Sequence, residues 1–357
     1  MAFDPDAAAQ PGSGIFGLPF TRADASIVLV PVPFDATTSY GGGTSAGPQV
    51  IFDASMQVDL LDHQFGQVYE CGIFMEKIPA KIKALSKKAR ALAKPIIENG
   101  GATRKDAKAV KTVNAACEHV EAHTHAMASA ILKEGKIPAL VGGDHSTPLG
   151  FIRACAEHAA RLPAKGRDAG GLGILQVDAH MDFRDAFEGF AYSHASIMHN
   201  VLTRLPQVTK LVQVGIRDYG ESERDFGISQ KKRVETYFEF DLAMKLDDGA
   251  KWKKLCAQMI ANLPANVYVS FDIDGLDPSL CPHTGTPMVG GLSFNQASVL
   301  LETLARSGRR IIGFDLNEVS PGIKPISTEP DWDANVGARI LYKLCGMAAL
   351  ANGLIKP

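Results

Sequence analysis

The stretch Ile174-Leu175-Gln176-Val177-Asp178-Ala179-His180-Met181-Asp182 begins as an apolar run and ends in three chemically active side chains. Its first part, 174–177, has the near-continuous hydrophobicity of a strand covered on both faces. In extended backbone, residues i, i+2 and i+4 face the same way, so Asp178, His180 and Asp182 project together from one strand end. Similar runs lie at 27–30, 137–141, 211–216, 267–271 and 311–316. Helix-like segments separate them, at 82–94, 108–134, 148–161, 250–262 and 294–307. This alternation predicts βαβ units in a mostly parallel sheet, with functional loops at the carboxyl ends of the strands. No internal repeat or low-complexity linker divides the chain, so we read an N-terminal extension over 1–24 and a single α/β domain over 25–357.

Three more strand ends carry similar chemistry. Val141-Gly142-Gly143-Asp144-His145-Ser146 turns through two glycines and presents His145. Ser270-Phe271-Asp272-Ile273-Asp274-Gly275-Leu276-Asp277-Pro278 places Asp272 and Asp274 on one face, and Asp315-Leu316-Asn317-Glu318-Val319-Ser320-Pro321 follows the last apolar run. A single acid at such a place is ordinarily a helix cap or a turn residue. Several together, two sets at period two, would repel one another unless protonated or bound to metal. Asp178, Asp182, Asp272 and Asp274 bring four negative charges, which two divalent cations would balance, while His145 and His180 add neutral nitrogens. Six ligands exceed a closed tetrahedral zinc site and suit two adjacent ions sharing carboxylates and a water. Oxygen-rich ligation with two imidazoles favours Mn2+; Ni2+, cobalt and iron accept the same set.

The bulk of the chain excludes other classes. A formal net charge of −2 gives no electrostatic case for nucleic acid or an anionic membrane. No apolar run approaches the roughly 20 residues of a membrane span, and acidic Asp4 and Asp6 precede any basic residue, so neither an anchor nor a signal peptide is expected. Six scattered cysteines, with no CxxC pair, read as reduced structural thiols of a cytoplasmic protein. The loop Gly41-Gly42-Gly43-Thr44-Ser45-Ala46-Gly47 starts about ten residues after its strand, too far for a dinucleotide fingerprint, and reads as lining a site mouth. The Lys-rich 79–111 segment is a solvated helix face, and His123 and His125 read as surface histidines on a helix.

At the strand-end motifs the sequence resembles the ureohydrolase family, which includes arginase, agmatinase and guanidinobutyrase. The family pattern GGDHS, DAHxD and S(F/L)DxDxxDP occurs intact and in order, and Gly285-Thr286-Pro287, Gly290-Gly291-Leu292 and Asn317-Glu318-Val319-Ser320-Pro321 look like it too. The resemblance runs from about Pro31 to the C-terminal helix, nearly the whole chain, and is closer to agmatinases than to arginases. It implies a three-layer α/β/α sandwich on an eight-stranded, mostly parallel sheet. It also implies that His145, Asp178, Asp182 and Asp272 hold one ion while Asp178, His180, Asp272 and Asp274 hold the other. Glu318 would pair with the substrate guanidinium, for which a planar two-oxygen acceptor is well shaped. His194, in Tyr192-Ser193-His194-Ala195-Ser196, aligns with the family's proton shuttle. Trimers or hexamers are usual.

The sequence departs from arginases where they read the α-amino acid head. Arg184 stands two residues after Asp182 in place of an Asn, and Gly220 stands in place of an acid, with Glu221 and Glu223 nearby as substitutes. The loop between is aromatic, with Phe183, Phe187, Phe190 and Tyr192. The expected reaction is therefore hydrolysis of a small guanidino compound such as agmatine, guanidinobutyrate or guanidine, releasing urea plus an amine or ammonia. Two other readings stay open: a supporting subunit of a hetero-oligomeric ureohydrolase, and a deacetylase of related fold, against which His145 speaks.

Overall fold

The computed structural model describes residues 3–163, 171–322 and 331–356. Its strands are β1 (Ile27–Pro31), β2 (Leu61–Asp62), β3 (Gly66–Gln67), β4 (Ile73–Met75), β5 (Ile137–Val141), β6 (Leu172–Val177), β7 (Val208–Ile216), β8 (Val234–Phe238), β9 (Asn266–Asp272) and β10 (Arg310–Asn317). Its helices are α1 (Gly47–Ser55), α2 (Ala80–Glu98), α3 (Ala107–Lys133), α4 (Leu149–Ala159), α5 (Ile197–Arg204), α6 (Glu221–Ser229), α7 (Glu239–Asp247), α8 (Trp252–Ala261), α9 (Phe294–Ala305) and α10 (Trp332–Ala351). Eight strands form one parallel sheet in the order β4-β1-β5-β10-β9-β6-β7-β8, and β2 and β3 make a separate hairpin.

Period-two alternation along the strands produces two cores. Val28, Val30, Leu140 and Ile174 point to one face, packed under α2, α3, α4 and α5. Ile27, Leu29, Val141 and Val177 point to the other, where α8, α9 and α10 lie. The result is the three-layer sandwich expected. Ile15, Phe16 and Leu18, within the 1–24 segment, also join the second core. α10 is buried nearly all round, yet no described helix is long and apolar enough to cross a membrane.

All six central strands and all five helices read from the sequence are present, within a few residues. α2 runs four residues further than expected, through Pro95, because Ile96 continues its buried face. The two edge strands were not legible. β4 is only three residues long, and every residue of β8 is partly exposed, so neither shows the apolar run of a doubly covered strand. His123 and His125 correct the surface reading: both are partly buried, and His125 Nε2 lies 3.1 Å from Glu157 Oε2 of α4. The cysteines are all buried and unpaired.

The sheet order matters for function. β1, β4 and β5 lie on one side and β6, β7 and β8 on the other; β9 and β10 return to fill the gap between β5 and β6. Four adjacent central strands, β5, β10, β9 and β6, thus end side by side, and crevices beyond such ends are where ligands bind in open α/β sheets.

Candidate metal centre

Each of those four strands delivers a side chain expected from the sequence. His145 Nδ1 lies 3.0 Å from Asp178 Oδ2, 3.0 Å from Asp182 Oδ2 and 3.2 Å from Asp272 Oδ2. His180 Nδ1 lies 3.5 Å from Asp178 Oδ1 and 3.1 Å from Asp274 Oδ2. Asp178 therefore turns one oxygen to each imidazole, and two groups of donors share it: His145, Asp178 and Asp182, and Asp178, His180 and Asp274. The backbone is shaped for this. Asp182 adopts φ 58° and Glu318 φ 64°, left-handed conformations that cost a side chain about 1–3 kcal/mol and cluster at functional sites. Gly143 cannot be replaced freely, since an added Cβ would lie 2.0 Å from the Phe34 carbonyl oxygen.

The donor set fits cations. His145 Nδ1 and Asp182 Oδ2 are buried without a hydrogen-bond partner although carboxylate oxygens and a ring nitrogen surround them. In protein atoms alone the charges conflict. Burial, then the charges of Asp274 and Asp178, push the Asp272 carboxyl well above its ordinary range. Burial and the Asp178 charge raise Asp182 to about 7. Burial works against charge on His145, but the three carboxylates outweigh it and raise that histidine well above its usual value. Positive ions at the two positions would remove the conflict that protons otherwise settle.

Glu318 and His194 stand beside this centre. Glu318 Oε1 accepts the His145 backbone N–H at 2.9 Å and lies 3.6 Å from His194 Nδ1, while Oε2 is buried with no partner. Burial, then the Asp272 and Asp144 charges, push its carboxyl well up. Gly285 leaves it room: a Cβ there would come within 2.9 Å of Oε2. His194 donates its backbone N–H to Thr37 Oγ1 at 3.2 Å, and its Nε2 lies 3.2 Å from Ser39 Oγ. Burial, then positive charge on His180 and His145, lowers its pKa to about 3, so the ring is neutral near pH 7.

A pocket of about 140 Å³ opens here, lined in part by Ser39, His180, Asp182, Arg184, His194 and Asp218. The glycine-rich loop borders the same region, with the Gly41 N–H donated to the Gly285 carbonyl at 2.6 Å and Ser320 Oγ donating to the Gly42 carbonyl at 2.9 Å. Arg184 stacks 4.5 Å over Phe187 and reaches Glu223 Oε2 at 3.4 Å. Glu223 is buried and already accepts the Phe183 and Gly220 N–H groups, at 3.0 and 2.8 Å. Glu221 points to solvent, its side chain 84% exposed. Neither glutamate is a free reader of an ammonium group. Asp218 is more available: its side chain is 54% exposed, with Oδ2 4.0 Å from His180 Nε2.

Sequence reasoning passed over the residues that hold this arrangement. Asp144 accepts from Thr37 and Ser146 and ties the β1 loop to the β5 end. Ser270 bonds His145 Nε2 at 2.9 Å and donates to Asp315 at 3.0 Å. Period two was again the available signal, since Ser270 shares the Asp272 face and Asp315 the Asn317 face.

The sequence matches the arginase family over residues 25–346. It is 30% identical to an N(1)-aminopropylagmatine ureohydrolase of Thermus thermophilus, covering 92% of each chain. It is 31% identical to a guanidinobutyrase of Pseudomonas aeruginosa over 60% of this chain and 61% of that one. Proclavaminate amidino hydrolase from Streptomyces clavuligerus has the same fold, with a TM-score of 0.70 at 22% identity, covering 97% of this chain and all of that one. With its eight-stranded parallel sheet and an aspartate shared between two histidines, the chain belongs to the arginase family, hydrolases of guanidino C–N bonds that depend on a binuclear metal centre.

Proposed function

We propose that this chain is a binuclear-metal amidinohydrolase acting on a small guanidino compound without an α-amino acid head, agmatine foremost. The observation that carries the reading is the pairing of a carboxylate-rich centre with the unpartnered Oε2 of Glu318 beside it. In this proposal His145, Asp178, Asp182 and Asp272 hold one ion and Asp178, His180, Asp272 and Asp274 the other, Mn2+ or Ni2+. When bound, the ions acidify water and stabilise negative charge developing in the transition state.

The chain's own residues do the rest. A buried carboxylate oxygen with no donor is costly, by about 1–3 kcal/mol, and a planar guanidinium N–H satisfies it. Glu318 thereby orients the substrate. Neutral His194, with Glu318 on one side and the Ser39 hydroxyl on the other, is placed to accept a proton that the attacking water gives up and to pass it to the leaving nitrogen. At the mouth, Arg184 is partnered by Glu223 while Asp218 is half-exposed, which favours a cationic tail over a carboxylate. The relatives' names span both kinds of substrate, an aminopropylagmatine and a guanidinobutyrate.

The test is urea release by the chain purified alone, over agmatine, 4-guanidinobutyrate, guanidine and arginine, with each metal reconstituted separately. Turnover of agmatine is expected. No turnover of any guanidino compound would return the chain to a supporting role. The same preparation should sediment as a trimer or hexamer.

A further inference from the structure

One level beneath the donor cluster, the sheet is unexpectedly polar. Thr236, Gln213, Gln176, Ser270 and Asp315 occupy consecutive positions across β8, β7, β6, β9 and β10, paired directly as Gln213 with Thr236, Gln176 with Gln213, Gln176 with Ser270 and Asp315 with Ser270. Gln213, Gln176, Ser270 and Asp315 are wholly buried in a sheet covered on both faces, where apolar side chains are the rule. Burying such groups is tolerated only when they are bonded.

They are, and the bonds have a direction. Thr236 Oγ1 donates to Gln213 Oε1 at 2.8 Å, Gln213 Nε2 donates to Gln176 Oε1 at 2.8 Å, and Gln176 Nε2 donates to Asp178 Oδ2 at 2.8 Å. From the other side, Asp315 Oδ1 accepts from Asn317 Nδ2 at 2.6 Å, from the Phe271 N–H at 3.2 Å and from Ser270 Oγ at 3.0 Å. A serine hydroxyl has one proton. With it given to Asp315, Ser270 can only accept from His145 Nε2, 2.9 Å away. That places the imidazole proton on Nε2 and leaves Nδ1, the atom facing three carboxylates, with its lone pair free. His180 has no such partner among the described residues, its Nε2 being 4.0 Å from Asp218.

We propose that this polar row is a positioning device for the metal centre, with Ser270 and Asp315 fixing the tautomer of His145 and Gln176 and Gln213 fixing the carboxylate of Asp178. This rests on the functional reading above, which assigns both residues as ligands. Losing an outer partner of a metal ligand typically weakens metal affinity 10–100-fold.

The experiment uses the full-length protein loaded with Mn2+, titrated with a chelator and assayed for ions retained per chain, beside thermal unfolding of the stripped protein. Ser270→Ala and Gln176→Met should each release ions at about 10–100-fold weaker chelation than wild type, with a fall in the Tm of the stripped protein, from the buried partners left unbonded, that does not track the loss of affinity from variant to variant. Asp315→Asn, which touches no ligand directly, should weaken retention in the same direction. If wild type holds two ions and these variants hold them equally tightly, the inference is overturned while the functional reading stands. A stripped-protein Tm that falls in step with affinity would overturn it in favour of plain structural support. If wild type itself retains no ions, the functional reading fails first.

Discussion

Asp178 turns Oδ2 toward His145 and Oδ1 toward His180, so it is read here as shared between two positions, and Asp272 as the second shared ligand. Asn in its place would offer one neutral oxygen where a bridge needs two anionic ones. Asp272→Asn should therefore lose bound metal and activity together, as read by elemental analysis beside urea release. Glu318→Gln should separate the two: metal content stays while turnover collapses, because only the charge facing the guanidinium is removed. Normal turnover in Glu318→Gln would cancel that assignment. His194→Ala should slow turnover by about 10²–10⁴-fold with metal retained; a change of only a few-fold would leave His194 as a packed loop residue. At this scale the donor set was legible because period two puts Asp178, His180 and Asp182 on one side of extended backbone. The same period puts Ser270 on the Asp272 face and Asp315 on the Asn317 face, but their role lies in a pairing across strands, which period two does not record.

The elements that carry these residues set two further expectations. The β5 end turns through Gly143, where the Phe34 carbonyl leaves no space for a side chain. Because the obstacle is backbone, Gly143→Ala should cost about 3 kcal/mol or more in stability, measured by denaturant unfolding; an unchanged midpoint would mean the loop yields easily. The β7 end presents Asp218, and Asp218→Asn should lower kcat/KM for agmatine by about tenfold, the worth of one lost charge partner of about 1–3 kcal/mol, while guanidine hydrolysis stays level. Arginine should fall at least as far below agmatine in wild type, since Glu223 is spent on two backbone N–H groups and Arg184. Arginine as best substrate would sink both statements. Central strands were readable as elements because burial on both faces demands unbroken hydrophobicity. The edge strands β4 and β8, shorter or half-exposed, carry no such demand.

For the molecule as a whole, two ions per chain are expected, matching four aspartates. Since ions bind the folded cluster and not the scattered ligands of an unfolded chain, they add stability by mass action: about 2.7 kcal/mol at a hundredfold excess over Kd. Chelation should lower Tm, and added metal should restore it in a concentration-dependent way; a Tm indifferent to metal would count against the site. Strand order was the least legible property. Which parallel strands become neighbours depends on long crossovers, and nothing in the segment 311–316 announces that it will lie between residues 137–141 and 266–272.

That order has a consequence for how the chain is made. β10 is the last of the described strands to leave the ribosome, yet it occupies the middle of the sheet, between β5 and β9. Until it arrives, the two halves of the sheet have no common partner, and β5 and β9 each present an open row of backbone N–H and C=O groups. Such rows are templates for pairing with another chain. Nascent or truncated chains ending before Arg310 should therefore be prone to aggregate and devoid of activity, and β10 acts as the keystone that closes both hazards at once.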